Sequence, residues 1–351
     1  MLANRTCRTK LTFAMKSILS CIATALVLHH SILAGELTKP KPASTGRPVR
    51  VAAFCFSPGK SLDHVLQRLD EEGARGTDLM VLPETWRGQT DRSLEAADGP
   101  TIRALAGLAR KHRAYIVSPI DLEREGRRFN TAVMIDREGK VIGAYDKVFP
   151  YWSEFDHARP VEPGRAARVF NTDFGRVGMA ICFDVNFSEV WQRLADADAE
   201  LVLWSSAYSA GAQLGAYALL HHFYIVTATH TGDCQAYDIT GERILDERGD
   251  GIHVSRIQLD LDRGIYHQNF NIDKRDRLLK EHAGEVRQEK WLDREQWFVL
   301  GATQPGVSAR GLARQYGLEE LRDYIQRSRR AIDTKRGFDF GASHRPADPA
   351  Q

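Results

Sequence analysis

Short apolar runs alternate with segments of helical spacing from Arg50 onward, and this alternation restricts the fold more than any other feature. Seven runs have the length and β-prone composition of strands, at residues 51–56, 79–82, 115–120, 132–135, 177–181, 201–204 and 224–229. Four segments have helical spacing, at residues 62–73, 101–112, 189–197 and 212–222. This order predicts an α/β fold in which helices cover sheet faces. Hairpin signals at 136–140 and 240–243 indicate mixed rather than purely parallel sheets.

The N-terminus is expected to be an export signal rather than part of the fold. Its four basic residues are Arg5, Arg8, Lys10 and Lys16. They precede the apolar stretch 18–28, and no acidic residue occurs before Glu36. A basic segment followed by an apolar stretch too short to span a bilayer is typical of a secretory signal peptide. We therefore predict a cleaved signal peptide over residues 1–34 and export to the periplasm or the extracellular space, with membrane tethering as the alternative.

The composition excludes several classes of function. With 43% hydrophobic and 27% charged residues, the 351-residue chain has an ordinary globular composition, which rules out disorder as its dominant state. A net charge of +2 without a long basic run disfavours nucleic acid as a partner, because phosphate binding depends on charge neutralisation. The five cysteines are too few and too scattered for a disulfide scaffold. Cys55 and Cys234 fall in strand-like segments, where buried and inert side chains are expected.

Cys182 is the cysteine whose position in the sequence most favours a catalytic role. It directly follows the apolar run 177–181 and precedes a helical segment. The α/β folds present catalytic side chains at such strand ends, and amides at a helix start favour a thiolate. A lone cysteine beside an apolar strand is nevertheless more often a small buried side chain, so its position alone does not decide between the two interpretations.

Two further charged residues follow apolar strands. Glu84 comes after 79–82 and a proline, and Lys147 comes 63 residues later, with Cys182 a further 35 residues on. A charge at the tip of an apolar strand is costly unless it is paired or functional. The order strand-Pro-Glu, then Lys, then strand-Cys resembles the nitrilase superfamily of carbon-nitrogen hydrolases. The resemblance covers about residues 50–261 and includes Pro163-Gly164, the segment 174–178, the turn Cys182-Phe-Asp184, Glu189, Arg193 and the segment 199–207.

The resemblance implies an αββα sandwich of two mixed β-sheets and a Glu-Lys-Cys triad that needs neither metal nor organic cofactor. Glu84 would be the general base, with a pKa raised toward the working pH by a dry site. Cys182 would be the nucleophile that forms a thioester. Lys147, as an ammonium, would stabilise the oxyanion together with the backbone N–H of Phe183.

Many members of this superfamily use a second glutamate between the lysine and the cysteine. Glu154 is the candidate for this role, and Glu162 is its rival. Tyr151, Trp152 and Tyr208 lie on segments expected to line the substrate pocket, although buried aromatic residues more often serve packing than recognition.

The residue pattern also indicates a domain organisation, and the resemblance implies an activity. We predict a linker over residues 35–49, a carbon-nitrogen hydrolase domain over 50–270 and a charged C-terminal extension over 271–351, in which 311–327 has helical spacing. The Cys-Phe-Asp turn is more similar to amidases and carbamoylases than to true nitrilases. The predicted function is therefore hydrolysis, by water, of a non-peptide carbon-nitrogen bond in a small amide or carbamoyl substrate, by a homodimer or higher homo-oligomer. Nitrile hydrolysis, N-acyl transfer and ligand binding without catalysis remain alternatives.

Overall fold

The computed structural model describes residues 45–337, and the fold of this part is built on two six-stranded β-sheets. The predicted signal peptide and residues 35–44 of the predicted linker lie outside the described residues. The last two residues of that linker already belong to the first strand.

The first sheet has the strand order β12-β1-β2-β3-β4-β5. Its strands are β1 Pro48–Cys55, β2 Leu79–Val81, β3 Tyr115–Arg124, β4 Arg127–Ile135, β5 Val141–Asp146 and β12 His253–Asp260. β1, β2 and β3 are parallel, whereas β4, β5 and β12 pair antiparallel with their neighbours. The sheet is therefore mixed, as the hairpin signals predict.

The second sheet has the order β11-β10-β9-β8-β7-β6. Its strands are β6 Val169–Asn171, β7 Arg176–Ile181, β8 Leu201–Ser206, β9 Tyr224–Thr229, β10 Asp233–Tyr237 and β11 Arg243–Arg248. The central strands β7, β8 and β9 are parallel and the outer ones antiparallel. Because both sheets have a parallel centre, the ends of β2 and β7 can each carry a functional side chain.

Four helices cover the outer faces of the two sheets. They are α1 Leu62–Ala74 and α2 Pro100–His112 on the first sheet, and α3 Ser188–Asp196 and α4 Ala212–His221 on the second. Each begins and ends within one residue of its predicted bounds. The reason is local: buried residues recur at helical spacing, as Ile102, Leu105 and Ala109 do in α2.

The alternation of side chains along β1 shows how the layers are held together. Val51, Ala53 and Cys55 belong to the apolar cluster between the two sheets. Ala52 and Phe54 point the other way and pack in the cluster beneath α1 and α2. Because both faces of β1 are covered, its sequence is continuously apolar rather than alternating, which is why it is recognisable as a buried strand.

A disulfide bond joins Cys55 at the end of β1 to Cys234 on β10, with Cα atoms 6.2 Å apart and a separation of 179 positions in sequence. The sequence predicts that both cysteines are buried and inert, and it does not predict their pairing. Both residues are buried, but they are bonded to each other across the sandwich. Their pairing depends on the face-to-face packing of two sheets, which spacing along the chain does not reveal.

Replacing both Cys55 and Cys234 with alanine is expected to lower the free energy of unfolding by about 2–5 kcal/mol, because a crosslink over so long a segment restricts the unfolded chain. Urea denaturation of the oxidised protein and the variant measures the difference. A reducing agent should bring the unsubstituted protein to the midpoint of the variant and leave the variant unchanged. Equal midpoints under oxidising conditions would contradict the expectation.

Residues 271–337 of the predicted C-terminal extension contain more regular structure than their charged sequence indicates. Two strands of this segment, β14 Val286–Leu292 and β15 Trp297–Ala302, join the preceding strand β13 Gly264–His267 in a third sheet of order β13-β15-β14. The helices α5 Ile272–Glu281, α6 Ala309–Gln315 and α7 Leu321–Arg336 accompany it. Tyr266, Leu278, Phe298 and Leu300 belong to a separate buried cluster. The predicted helix over 311–327 is interrupted near Gly317, whose φ of +72° is left-handed.

The length and polarity of the helices determine whether one of them could cross a membrane. Within residues 45–337, none of the helices is both long enough and apolar enough to cross a bilayer.

Candidate active site

Cys182 stands directly after β7, at the first position of a 3-10 turn over Cys182–Asn186. Its φ of +45° is left-handed, a conformation that costs free energy in a residue other than glycine. Such a backbone persists only where the surroundings hold it, and it turns the side chain out of the strand. The thiol is therefore presented at the strand end, as the sequence predicts, and the side chain is only 7% exposed.

Asp184 holds this turn in place. Its Oδ2 accepts hydrogen bonds from the N–H of Ile181 (2.9 Å) and the hydroxyl of Tyr145 (2.6 Å), and its Oδ1 accepts one from the N–H of Phe149 (2.9 Å). Burial raises the pKa of Asp184 to about 6 even though these hydrogen bonds lower it. The carboxyl group thus ties the turn after β7 to the end of β5 and the segment that follows it.

Glu84 lies three residues beyond β2 and is 3% exposed. Its Oε1 accepts a hydrogen bond from Nζ of Lys147 (2.8 Å), and its Oε2 accepts one from the N–H of Ala207 (3.0 Å). The backbone carbonyl of Glu84 also contacts Nε2 of His230. The carboxylate on the first sheet is therefore fixed by groups from both sheets.

Lys147 follows β5 and is 1% exposed. Besides Glu84, its Nζ contacts Oε2 of Glu154 at 2.5 Å, so one ammonium is shared by two buried carboxylates. Glu154 belongs to a 3-10 turn over Trp152–Phe155, and its Oε2 also accepts the N–H of Tyr151. Glu162 instead lines a separate surface groove. Of the two candidate glutamates, the structure brings only Glu154 to Lys147.

Asn130 on β4 is a site residue that the motifs do not reveal. Its Nδ2 donates to Oε1 of Glu84 and to Oε1 of Glu154, each at 2.9 Å, and its backbone carbonyl accepts the N–H of Lys147. The available signal is an asparagine inside a strand that continues into the apolar run 132–135, a position where this residue type is rare without a partner. Asn130 therefore holds the two carboxylates in a fixed relation to each other.

The charge states of the three predicted catalytic residues follow from burial and from their mutual contacts. Burial raises the pKa of Glu84, but the Lys147 ammonium and the hydrogen bonds outweigh it and leave the pKa below its ordinary value of 4.5. Burial alone would lower the pKa of Lys147, yet the neighbouring negative charges raise it. Burial raises the pKa of the Cys182 thiol to about 12, with the Glu84 charge acting in the same direction.

One expectation about ionisation, the raised pKa of Glu84, is therefore wrong. The carboxylate of Glu84 has a lowered rather than a raised pKa, because an ammonium lies within 2.8 Å of it. Cys182 is a neutral thiol at neutral pH rather than a thiolate, because its site is buried and contains carboxylates. The resting site pairs a protonated nucleophile with an ionised base.

These groups open into a cavity of about 360 Å³, near the lower end of the usual range of ligand pockets. The lining residues are Glu84, Gln89, Lys147, Tyr151, Ser153, Glu154, Cys182, Phe183, Asn186, Ala207 and Tyr208. Tyr151 and Tyr208 are therefore pocket residues, as predicted. Trp152 is not among them and is 63% exposed, because successive side chains of a 3-10 turn point in different directions.

The sequence motifs do not identify Gln89, Ser153 and Asn186, which lie on loops and turns whose course the residue pattern does not determine. Residues 45–337 contain no cluster of three histidine, cysteine or acidic side chains that could hold a metal ion. The chemistry that this cavity offers is a thiol next to a carboxylate base and an ammonium, which is suited to nucleophilic attack on a carbonyl carbon.

The comparison with protein families agrees with this geometry. A sequence model described as carbon-nitrogen hydrolase matches residues 50–264, more than half of the chain. The chain belongs to the carbon-nitrogen hydrolase family. Among its relatives, the chloroplastic omega-amidase of Arabidopsis thaliana is 22% identical over 219 residues, which are 56% of this chain and 59% of that protein. Omega-amidase NIT2-A of Xenopus laevis is 24% identical over 170 residues, which are 44% and 62% of the two chains. This family member thus spans about three fifths of the length of these relatives.

Solved structures share the fold. Nit3 of Saccharomyces cerevisiae, a member of branch 10 of the nitrilase superfamily, superposes with a TM-score of 0.53 at 21% identity, covering 64% of this family member and 93% of Nit3. An amidase from Nesterenkonia sp. superposes with a TM-score of 0.54 at 20% identity, covering 69% and 99%. These similarities confirm the predicted sandwich of two mixed sheets covered by helices.

Proposed function

We propose that the protein hydrolyses a non-peptide carbon-nitrogen bond of a small amide or carbamoyl compound through a thioester at Cys182. The observation that carries the proposal is the convergence of Glu84, Lys147 and Cys182 on one buried cavity. Each of these residues follows a different strand, and a purely structural role explains neither a strained cysteine nor two carboxylates that share one ammonium.

In the acylation step, the thiol of Cys182 transfers its proton to Glu84 as the sulfur attacks the substrate carbon. The oxyanion that forms is stabilised by the ammonium of Lys147 and by the backbone N–H of Phe183. The tetrahedral intermediate then releases ammonia or an amine, which takes the proton from Glu84. A thioester at Cys182 remains.

In the second step, Glu84 takes a proton from water as the water oxygen attacks the thioester carbon. Collapse of this intermediate releases the carboxylic acid, and the sulfur regains a proton. Because the pKa of Cys182 is raised and that of Glu84 is lowered, proton transfer and attack are expected to occur together rather than through a stable thiolate.

Export of the protein is part of the proposal. The disulfide between Cys55 and Cys234 supports it, because such bonds persist in oxidising compartments and are rare in the cytosol. The homodimer implied by the family resemblance stays a prediction, and light scattering of the purified protein measures it.

Ammonia release across a panel of primary amides, carbamoyl compounds and nitriles tests the activity. The expected result is release from amides or carbamoyl compounds, with the corresponding acid as product. Hydroxylamine should divert the acyl group to a hydroxamate, because it attacks the same thioester. Release from nitriles alone, or transfer of the acyl group to an added amine in preference to water, would favour the alternative reactions. No turnover of any compound would favour a ligand-binding relative.

A further inference from the structure

We infer that the substrate is an amide whose acyl group is apolar, and that the cavity discriminates against amides that carry a carboxylate. This inference rests on the proposed function and narrows its substrate class. It depends on two properties of the cavity, namely the charges around it and the character of its walls.

The cavity has a deficit of positive charge. Glu84 and Glu154 both use the single ammonium of Lys147, at 2.8 and 2.5 Å. Cys182 contributes no charge at neutral pH. Among the residues between 45 and 337 that line the cavity, no arginine and no second lysine occurs. A carboxylate that entered would therefore leave water without gaining a free cation and would face two carboxylates.

Aromatic rings form the apolar part of the walls. Tyr151 and Phe183 pack edge to face with ring centroids 5.2 Å apart, beside the nucleophile. Tyr208 packs edge to face on the buried Trp204 at 5.7 Å. These packed rings offer fixed surface for an apolar chain. The other polar side chains of the lining, Gln89, Ser153 and Asn186, are neutral, since they carry amide or hydroxyl groups only.

Two amides with the same number of carbon atoms test the inference. They are pentanamide and glutaramate, in which a carboxylate replaces the terminal methyl group. We expect kcat/KM for glutaramate to be at least about tenfold below that for pentanamide, with the difference shrinking as salt concentration rises. Equal values for the two, or a preference for glutaramate, would overturn the inference even if the proposed hydrolysis is correct.

Placing a cation at the cavity mouth provides a second test. Asn186 lines the cavity and is exposed, so Asn186→Arg adds a positive charge without burying it. This variant should raise the ratio of kcat/KM for glutaramate to that for pentanamide, whereas Asn186→Gln, a neutral control of similar shape, should leave the ratio unchanged. The same ratio in both variants would count against the charge argument.

Alkylation of Cys182 separates the inference from the proposed activity. Iodoacetamide is neutral and iodoacetate is anionic, and both form a thioether with the sulfur and release iodide. Mass spectrometry of the peptide that contains Cys182 gives the two rates, and division by the rates for N-acetylcysteine removes the intrinsic difference. We expect the normalised preference for iodoacetamide to be at least about tenfold. That preference without hydrolysis of any amide would sustain the charge inference while refuting the proposed activity. A normalised ratio near one would refute the charge inference alone.

Discussion

Replacement of Cys182 with alanine is expected to abolish amide hydrolysis while the protein remains folded. Without the sulfur no thioester can form, and removal of a catalytic nucleophile commonly lowers kcat by a factor of at least about 10³. The fold should tolerate the change, because alanine removes one atom from the side chain and leaves the hydrogen bonds of Asp184 to Ile181 and Phe149 in place. Ammonia release and thermal denaturation, measured on the same preparation, check both parts.

The other described cysteines supply a control for this variant. The double variant that lacks Cys55 and Cys234 should retain turnover at temperatures below its melting transition, because the disulfide lies outside the residues that line the cavity. If that variant were fully folded but inactive, thiol chemistry would not be confined to Cys182. Undiminished turnover of the Cys182→Ala protein would exclude the thioester mechanism.

The sequence predicts the central elements of both sheets because these strands are buried on both faces and therefore have continuous apolar sequences. β12 and β14 are not predicted, because each has one partly exposed face that carries charged residues. β13 and β15 of the third sheet are missed although they are buried and largely apolar, because the charged segment between them indicates a surface region. A charged sequence such as 273–295 can still form structure where a few residues, among them Leu278 and Val286, enter a shared cluster.

The site is predictable to the extent that it depends on strand ends. Glu84, Lys147 and Cys182 are recognisable because each follows an apolar strand in a characteristic order. Three further features depend on packing between distant segments. These are the position of Glu154 rather than Glu162 beside the lysine, the disulfide bond, and the direction of the pKa shift at Glu84. An ammonium within 2.8 Å reverses the effect of burial on that carboxylate, and no spacing rule supplies such a distance.

Replacement of Lys147 with methionine is expected to have the other large effect, on rate and on stability together. The variant keeps a side chain of similar length but removes the ammonium that Glu84 and Glu154 share. Loss of one partner from a buried ion pair typically costs about 3–5 kcal/mol, because the remaining charge is uncompensated. The rate of hydrolysis should fall by a factor of about 10² or more through loss of oxyanion stabilisation. Urea denaturation and ammonia release measure the two effects.

The pH dependence of stability shows whether Lys147→Met destabilises the protein through the lost ammonium or through a general packing defect. In the unsubstituted protein the folded-state pKa of Glu84 lies below 4.5, so its contribution to stability is present above the unfolded value and is lost as pH falls through the folded value. Without Lys147, burial should raise the folded-state pKa of Glu84 above 4.5. The contribution of this group to stability should then decrease as pH rises from 4.5 toward that raised pKa. The difference in stability between the two proteins is therefore expected to widen from acidic to neutral pH.

Two control variants decide whether the ammonium is responsible. Lys140→Met makes the same substitution at an exposed lysine and should change neither stability nor rate appreciably. Adding Glu84→Gln to Lys147→Met removes one of the two uncompensated carboxylates, so the double variant should recover part of the lost stability at neutral pH. It should not recover hydrolysis, because both the base and the ammonium are absent. A stability difference that is independent of pH, or a double variant less stable than Lys147→Met at neutral pH, would show that the site is held by packing rather than by charge. Recovery of stability in the double variant would mean that the ammonium stabilises the folded protein by neutralising the buried carboxylates.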